Sequence, residues 1–134
     1  MWTCPKCERR FKTTNQSHSC VPQDLGRLFL DRPDELVLAF DTLMREVLVW
    51  EPNSLGATQN AIVFTNRKAW LIVRPMRKEL DVKIYQDEEL DHGRIKKIHE
   101  YRGVYGHHFR IREEEEVDRE LLELLRLGFD YAMR

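Results

Sequence analysis

Cysteine is scarce in this chain: of 134 residues only 3 are cysteines, all within the first 20 positions, so no disulfide framework spans the molecule. Long apolar runs are missing too. With 34% charged residues, no stretch approaches the ~20 consecutive apolar residues of a membrane helix. Met1-Trp2-Thr3-Cys4 lacks the basic and then apolar pattern of a secretion signal, so a cytoplasmic location with no membrane association is expected. Catalytic signatures are absent as well: there is no Gly-x-Ser-x-Gly elbow, no phosphate-cradling glycine loop, no Gly-x-Gly-x-x-Gly and no separate cysteine with supporting histidines. The sequence thus lends no support to an enzyme and leans away from one. Repeats and low-complexity tracts are limited to the short run Glu113 to Glu116.

What is present suffices for one core: 42% apolar residues in a length typical of a single domain. The net charge of −1 conceals segregation. Residues 1–22 carry +3, 23–57 carry −4, 58–84 carry +4 and 85–134 carry −4. Two basic segments therefore form one patch only if the fold joins them.

Leu36, Val37, Phe40, Leu43, Met44, Val47 and Leu48 follow the spacing of one buried helical stripe and predict a helix over about 32–51, with Asp31 as N-cap and an Asp41–Arg45 pair. Gly26 and the leucines around it read as a docked connector ahead of that helix. Pro52-Asn53-Ser54 stops it. Strands are predicted within about 61–111: Ala61–Thr65 and Ala69–Val73 as a hairpin, Leu80–Tyr85 by alternation, and His107–Ile111. Arg94–Tyr101 fits a strand or a helical turn, and Gly103, Tyr105 and Gly106 read as the turn after it. A second stripe, Val117, Leu121, Leu124, Leu125 and Phe129, predicts a helix over about 114–132, its start complemented by the glutamate run. The fold class is α+β: an antiparallel sheet of about 4–5 strands with an amphipathic helix before and after it, covering 23–134, plus a small zinc-finger-like module over 1–22.

That module carries the sharpest motif. Cys4-Pro-Lys-Cys7 followed by His18-Ser-Cys20 supplies four ligands of the right softness for a tetrahedral Cys3His zinc site, about one structural Zn2+ per chain. The competing readings are a redox pair or surface thiols, yet a thioredoxin-type motif follows a strand, and none precedes Cys4. Three thiolates disfavour an iron–sulfur cluster. Lys6, Arg9, Arg10 and Lys12 make the segment a basic knob, with Trp2 and Phe11 available for stacking on nucleic acid or for docking on an acidic surface of the main domain.

From Trp2-Thr-Cys-Pro-Lys-Cys7 through Asn15-Gln-Ser-His-Ser-Cys20 the sequence resembles the N-terminus of bacterial proteins carrying the domain of unknown function 5655. The resemblance continues into Ile62-Val-Phe64, His107-His108-Phe109-Arg110-Ile111 and a leucine-rich last helix with Asp118 near its start. It implies a domain family with an N-terminal zinc motif and no assigned reaction. Related domains are similar to ones at the C-termini of larger proteins, some with nuclease-like portions and some labelled as predicted transport proteins. This chain departs from the pattern at Pro75 to Glu79 and in the acidic run.

Elsewhere, Arg67, Lys68, Arg74 and Arg110 are candidate nucleic-acid or anion contacts, and Phe64, Trp70 and Tyr85 interleave with them as a stacking platform or else as core. His107 and His108 are adjacent, so on a strand they face opposite ways; one is expected in the core, the other with Tyr85 in a pocket. His92 and His99 read as solvated loop residues. Three functions follow: binding of DNA or RNA or another polyanion through the zinc knob and basic strands, a protein-interaction or oligomerisation module with purely structural zinc, or an enzyme with a His/Arg anion pocket.

Overall fold

The computed structural model describes residues 25–134 and, for their backbone, 2–3 and 10–11. Strands β1 (Trp2–Thr3) and β2 (Arg10–Phe11) pair antiparallel. The zinc-ligand candidates Cys4, Cys7, His18 and Cys20, with Lys6, Arg9 and Lys12, lie outside the described residues.

A short helix α1 (Leu25–Leu28) buries Leu28, and Phe29 beside it meets Phe40 at 5.4 Å between ring centroids, so this connector is docked. Helix α2 (Asp34–Val47) buries Leu36, Ala39, Phe40, Leu43 and Val47. It is shorter than predicted at both ends. Asp31 adopts a left-handed backbone, with φ 58°, and Pro33 takes the N-cap position without a side-chain cap, so the expected Asp31 cap does not form. At the other end Asn53 Nδ2 donates to the Val47 carbonyl at 3.0 Å, while Asn53 Oδ1 accepts from the Trp70 indole at 3.1 Å. The polar stop signal therefore also serves a buried tryptophan.

Six strands follow: β3 (Ser54–Ala57), β4 (Ile62–Thr65), β5 (Ala69–Pro75), β6 (Leu80–Gln86), β7 (Lys97–Tyr101) and β8 (Val104–Ile111). They form one sheet in the order β3-β4-β5-β6-β8-β7, every pair antiparallel. Six strands exceed the 4–5 expected. The extra one is β3, where Ser54 and Gly56 look like turn residues in sequence and only Leu55 is buried. Tyr105 and Gly106, expected in a turn, lie within β8, because the β7–β8 hairpin turns at Arg102 and Gly103, both with positive φ. Helix α3 (Arg119–Ala132) starts later than expected: the glutamates form a single 3-10 turn over Glu114–Glu116, and Asp118 is the cap, accepting from Leu121 N–H at 2.9 Å.

Both helices cover the same sheet face. Ile62, Phe64, Leu71, Val73, Leu80, Val82, Ile84, Phe109 and Ile111 point into it, all within 1% of full burial. A register shift opposite Phe64 and Thr65 turns consecutive Trp70 and Leu71 both inward. Trp70 then packs edge-on to Phe129 of α3 at 5.1 Å. Phe64 and Trp70 are thus core residues and supply no stacking platform. Opposite lies the second face, which no helix covers among the described residues.

The crossover from β6 to β7, residues 87–96, lets β8 insert between them and is held by several contacts. His107 Nε2 accepts from Leu90 N–H at 2.9 Å, and Arg94 donates to Asp118 Oδ1 at 2.6 Å and to the Glu116 carbonyl at 2.8 Å. These contacts seat β7, whose residues complete the site below.

Candidate functional site

Side chains alternate across a strand, so the register of β5, β6, β8 and β7 dictates what meets on the uncovered face. Arg74 stands opposite Asp81, and Asp81 opposite Arg110. One row on, Lys83, His108 and Lys97 lie side by side; the next row is Tyr85, Gly106 and His99, and beyond it Val104 faces Tyr101. Cations, aromatics and imidazoles thus share one surface.

At its centre Asp81 is only 6% exposed. Arg110 Nε lies 3.0 Å from Asp81 Oδ1, and Arg110 Nη1 is 3.3 Å from Glu79 Oε1. Arg110 is therefore held by two carboxylates. His108 Nδ1 sits 3.0 Å from Asp81 Oδ2. Burial pushes the His108 pKa below its ordinary value; the Asp81 bond opposes that shift, and the charges of Lys97 and Lys83 reinforce it. A neutral ring donates Nδ1–H to Asp81, leaving Nε2 with no hydrogen-bond partner among the described residues.

Lys83, Lys97, Arg74 and Arg102 have no carboxylate partner among the described residues. Lys83 Nζ lies over the Tyr85 ring at 5.1 Å, and Arg102 over Tyr101 at 5.2 Å. Between these pairs opens a cleft of about 390 Å3 with Gly106 and His99 in its lining.

His107 is elsewhere. It is fully buried on the inner face, donating Nδ1–H to the Tyr105 carbonyl at 3.0 Å as well as accepting from Leu90. Burial lowers its pKa, so the neutral ring serves as a core bridge. Tyr85 and His108 share the uncovered face without it. Arg67 and Lys68 lie in the β4–β5 turn, where Arg67 donates to the Met133 carbonyl and Lys68 covers the Tyr131 ring at 5.8 Å. Of the basic-knob residues only the Arg10 backbone is described.

The family described as "Domain of unknown function (DUF5655)" matches residues 26–132. The chain belongs to that family. The DUF5655 match spans α2, the whole six-stranded sheet and α3, and it leaves the cysteine segment outside. No curated protein and no solved structure matches the chain. Among the described residues no group of three or more His, Cys, Asp or Glu side chains is arranged to hold a metal, and no helix is long and apolar enough to cross a membrane.

Sequence reasoning missed Lys97, His99, Tyr101, Arg102 and Asp81 as site residues. The signal for three of them was available: Lys97, His99 and Tyr101 alternate, and period 2 puts them on one face once the segment is read as a strand. His99 is accordingly a strand residue, and His92, in the crossover, accepts from Arg94 N–H through Nδ1.

Proposed function

We propose that this DUF5655 chain binds nucleic acid through the uncovered sheet face, with a zinc-ordered N-terminal segment as a second basic contact. The observation that carries the reading is the quartet Arg74, Lys83, Lys97 and Arg102, on or beside one face, none neutralised by a carboxylate among the described residues, while Asp81 is already engaged by Arg110 and His108. Strand-borne cations with aromatic neighbours suit a phosphodiester chain. Zinc belongs to the proposal through its donor set: Cys4, Cys7, His18 and Cys20 would hold one structural ion, and β1 and β2 flank in sequence the segment carrying the first two. Lys6, Arg9, Arg10 and Lys12 would then present a compact charge.

The test is a titration of the full chain against single-stranded DNA, duplex DNA and RNA from about 50 to about 200 mM salt. Affinity falls steeply with salt, and a Lys83→Ala/Lys97→Ala variant shows a log–log slope shallower by about 2, one per phosphate contact. Absence of binding at the lowest salt sinks the proposal and leaves the basic residues as a solvated or protein-docking surface. Zinc is tested separately: protein purified without added metal contains about one zinc per chain, and Cys7→Ser loses it. Metal-free, freshly reduced protein overturns that part.

A further inference from the structure

Three tyrosines line one end of the sheet, and each has a cation over its ring: Arg102 on Tyr101, Lys83 on Tyr85 and Lys68 on Tyr131, at 5.2, 5.1 and 5.8 Å. They come from β7, β6 and α3, far apart in sequence. Two clefts connect them. The larger, about 390 Å3, opens between Tyr101 and Tyr85; the smaller, about 220 Å3, opens between Tyr85 and Tyr131, and Tyr85 and Val104 line both. The two clefts adjoin at Tyr85 and Val104, so the three tyrosine rings lie along one groove-like path.

We propose that this groove holds a short single strand of nucleic acid, its unpaired bases stacked on the tyrosines and its phosphates on the paired cations. The inference rests on the nucleic-acid reading above and specifies the strandedness and the subsites. The chemistry favours single strands for a definite reason. Base-to-aromatic stacking needs splayed bases, which a duplex keeps inside its stack. β6 and β7 are separated by β8 and Tyr101 lies two residues beyond the row of Tyr85, Gly106 and His99, so the two tyrosines stand two inter-strand spacings apart laterally and one two-residue repeat apart along the strands, roughly 12 Å, leaving room between them. Gly106 adds to that space: it lies in register between Tyr85 and His99, and a Cβ there would meet Lys83 Cδ at 3.2 Å and crowd the lysine that covers Tyr85. Each ring has a cation within about 6 Å of its centroid, so a phosphate-binding charge and an aromatic ring are neighbours at every subsite, and a base stacks as the mobile cation swings to the phosphate.

The experiment uses the full chain and three probes of about equal length: oligo-dT, the same backbone with abasic sites, and duplex DNA. Oligo-dT binds at least about 10-fold more tightly than the abasic strand. Tyr101→Ala, at an exposed ring, and Tyr85→Ala each weaken oligo-dT binding about 10-fold and leave abasic binding unchanged, while Tyr85→Phe retains wild-type affinity because the ring face persists. A thermal melt accompanies each variant, and Tyr85→Phe together with Tyr101→Ala keeps the test decisive if Tyr85→Ala unfolds. Equal affinity for the abasic strand and oligo-dT, or tyrosine variants that bind oligo-dT like wild type, overturns the stacking groove and leaves the electrostatic reading standing. Failure of all three probes to bind at low salt overturns both.

Discussion

His108 donates Nδ1–H to Asp81 across 3.0 Å, and Lys83 and Lys97 flank the same ring in register on either side. One carboxylate thus orients an imidazole whose pKa is lowered first by burial and then, to a smaller extent, by the two ammonium groups. The opposing influences are separable by substitution. Lys83→Met raises the His108 pKa by removing a positive neighbour, and Asp81→Asn lowers it by removing the stabilising anion. Following the His108 ring carbons by NMR across about pH 4 to 8 checks both directions; a fall in Lys83→Met means that Lys83 does not act on this ring, and a rise in Asp81→Asn means that Asp81 does not stabilise its charged form.

His107 carries a different consequence, for stability. Its ring joins the Tyr105 carbonyl to Leu90 N–H inside the core, so His107→Ala strands two buried polar groups and opens a cavity, costing about 3 kcal/mol. The pH dependence follows from burial. The folded pKa lies below the ordinary 6.5, so below that value the unfolded chain takes up a proton that the folded chain refuses. Stability is therefore unaffected above about pH 7 and falls as pH drops through 6.5 toward the folded value. Urea unfolding at about pH 7.5 and about pH 5.5 measures this, and His107→Ala shows a smaller difference between the two than wild type.

Gly128 sets how closely α3 approaches the sheet. A Cβ built on it would sit 2.7 Å from Ile84 Cβ, which hangs on strand backbone and has nowhere to move. Gly128→Ala therefore destabilises by roughly 1–3 kcal/mol even though alanine is the better helix former. Gly128→Ala combined with Ile84→Gly, which removes the Cβ that the new methyl meets, relieves the clash while losing Ile84's burial, and a double-mutant cycle on chemical denaturation reads the coupling. Strict additivity of the two changes would show that the helix is not seated on Ile84.

Asp118 caps α3 and pins the crossover through Arg94 at once. Its pKa is lowered first by the Leu121 N–H bond and then by Arg94, so the stability it adds is present at neutral pH and is lost as pH falls through the lowered folded value. Asp118→Ala costs about 1 kcal/mol at pH 7, and Asp118→Asn less, since asparagine also caps. Amide exchange of the crossover speeds up both in Asp118→Ala and in Asp118→Ser, which keeps a cap but cannot pair with Arg94, whereas exchange at the start of α3 speeds up chiefly in Asp118→Ala, which separates the loop role from the helix role.

Local pattern was enough for the main elements. The stripe of Leu36, Phe40, Leu43 and Val47 and that of Leu121, Leu124, Leu125 and Phe129 declare two helices, because a period of 3.6 against a single core leaves no other arrangement that buries them all. Leu80, Val82 and Ile84 declare β6 in the same way with period 2. Adjacency alone also dictated that His107 and His108 oppose each other. Which histidine went inside, that β8 inserts between β6 and β7, and that Ser54–Ala57 forms an edge strand were decided by pairing between distant segments, on which local pattern is silent. The candidate site belongs to that second class. Lys97, Tyr101 and Tyr131 carry no local signal that sets them beside Tyr85, and only the strand register and the seating of α3 on Ile84 bring them to the same end of the sheet.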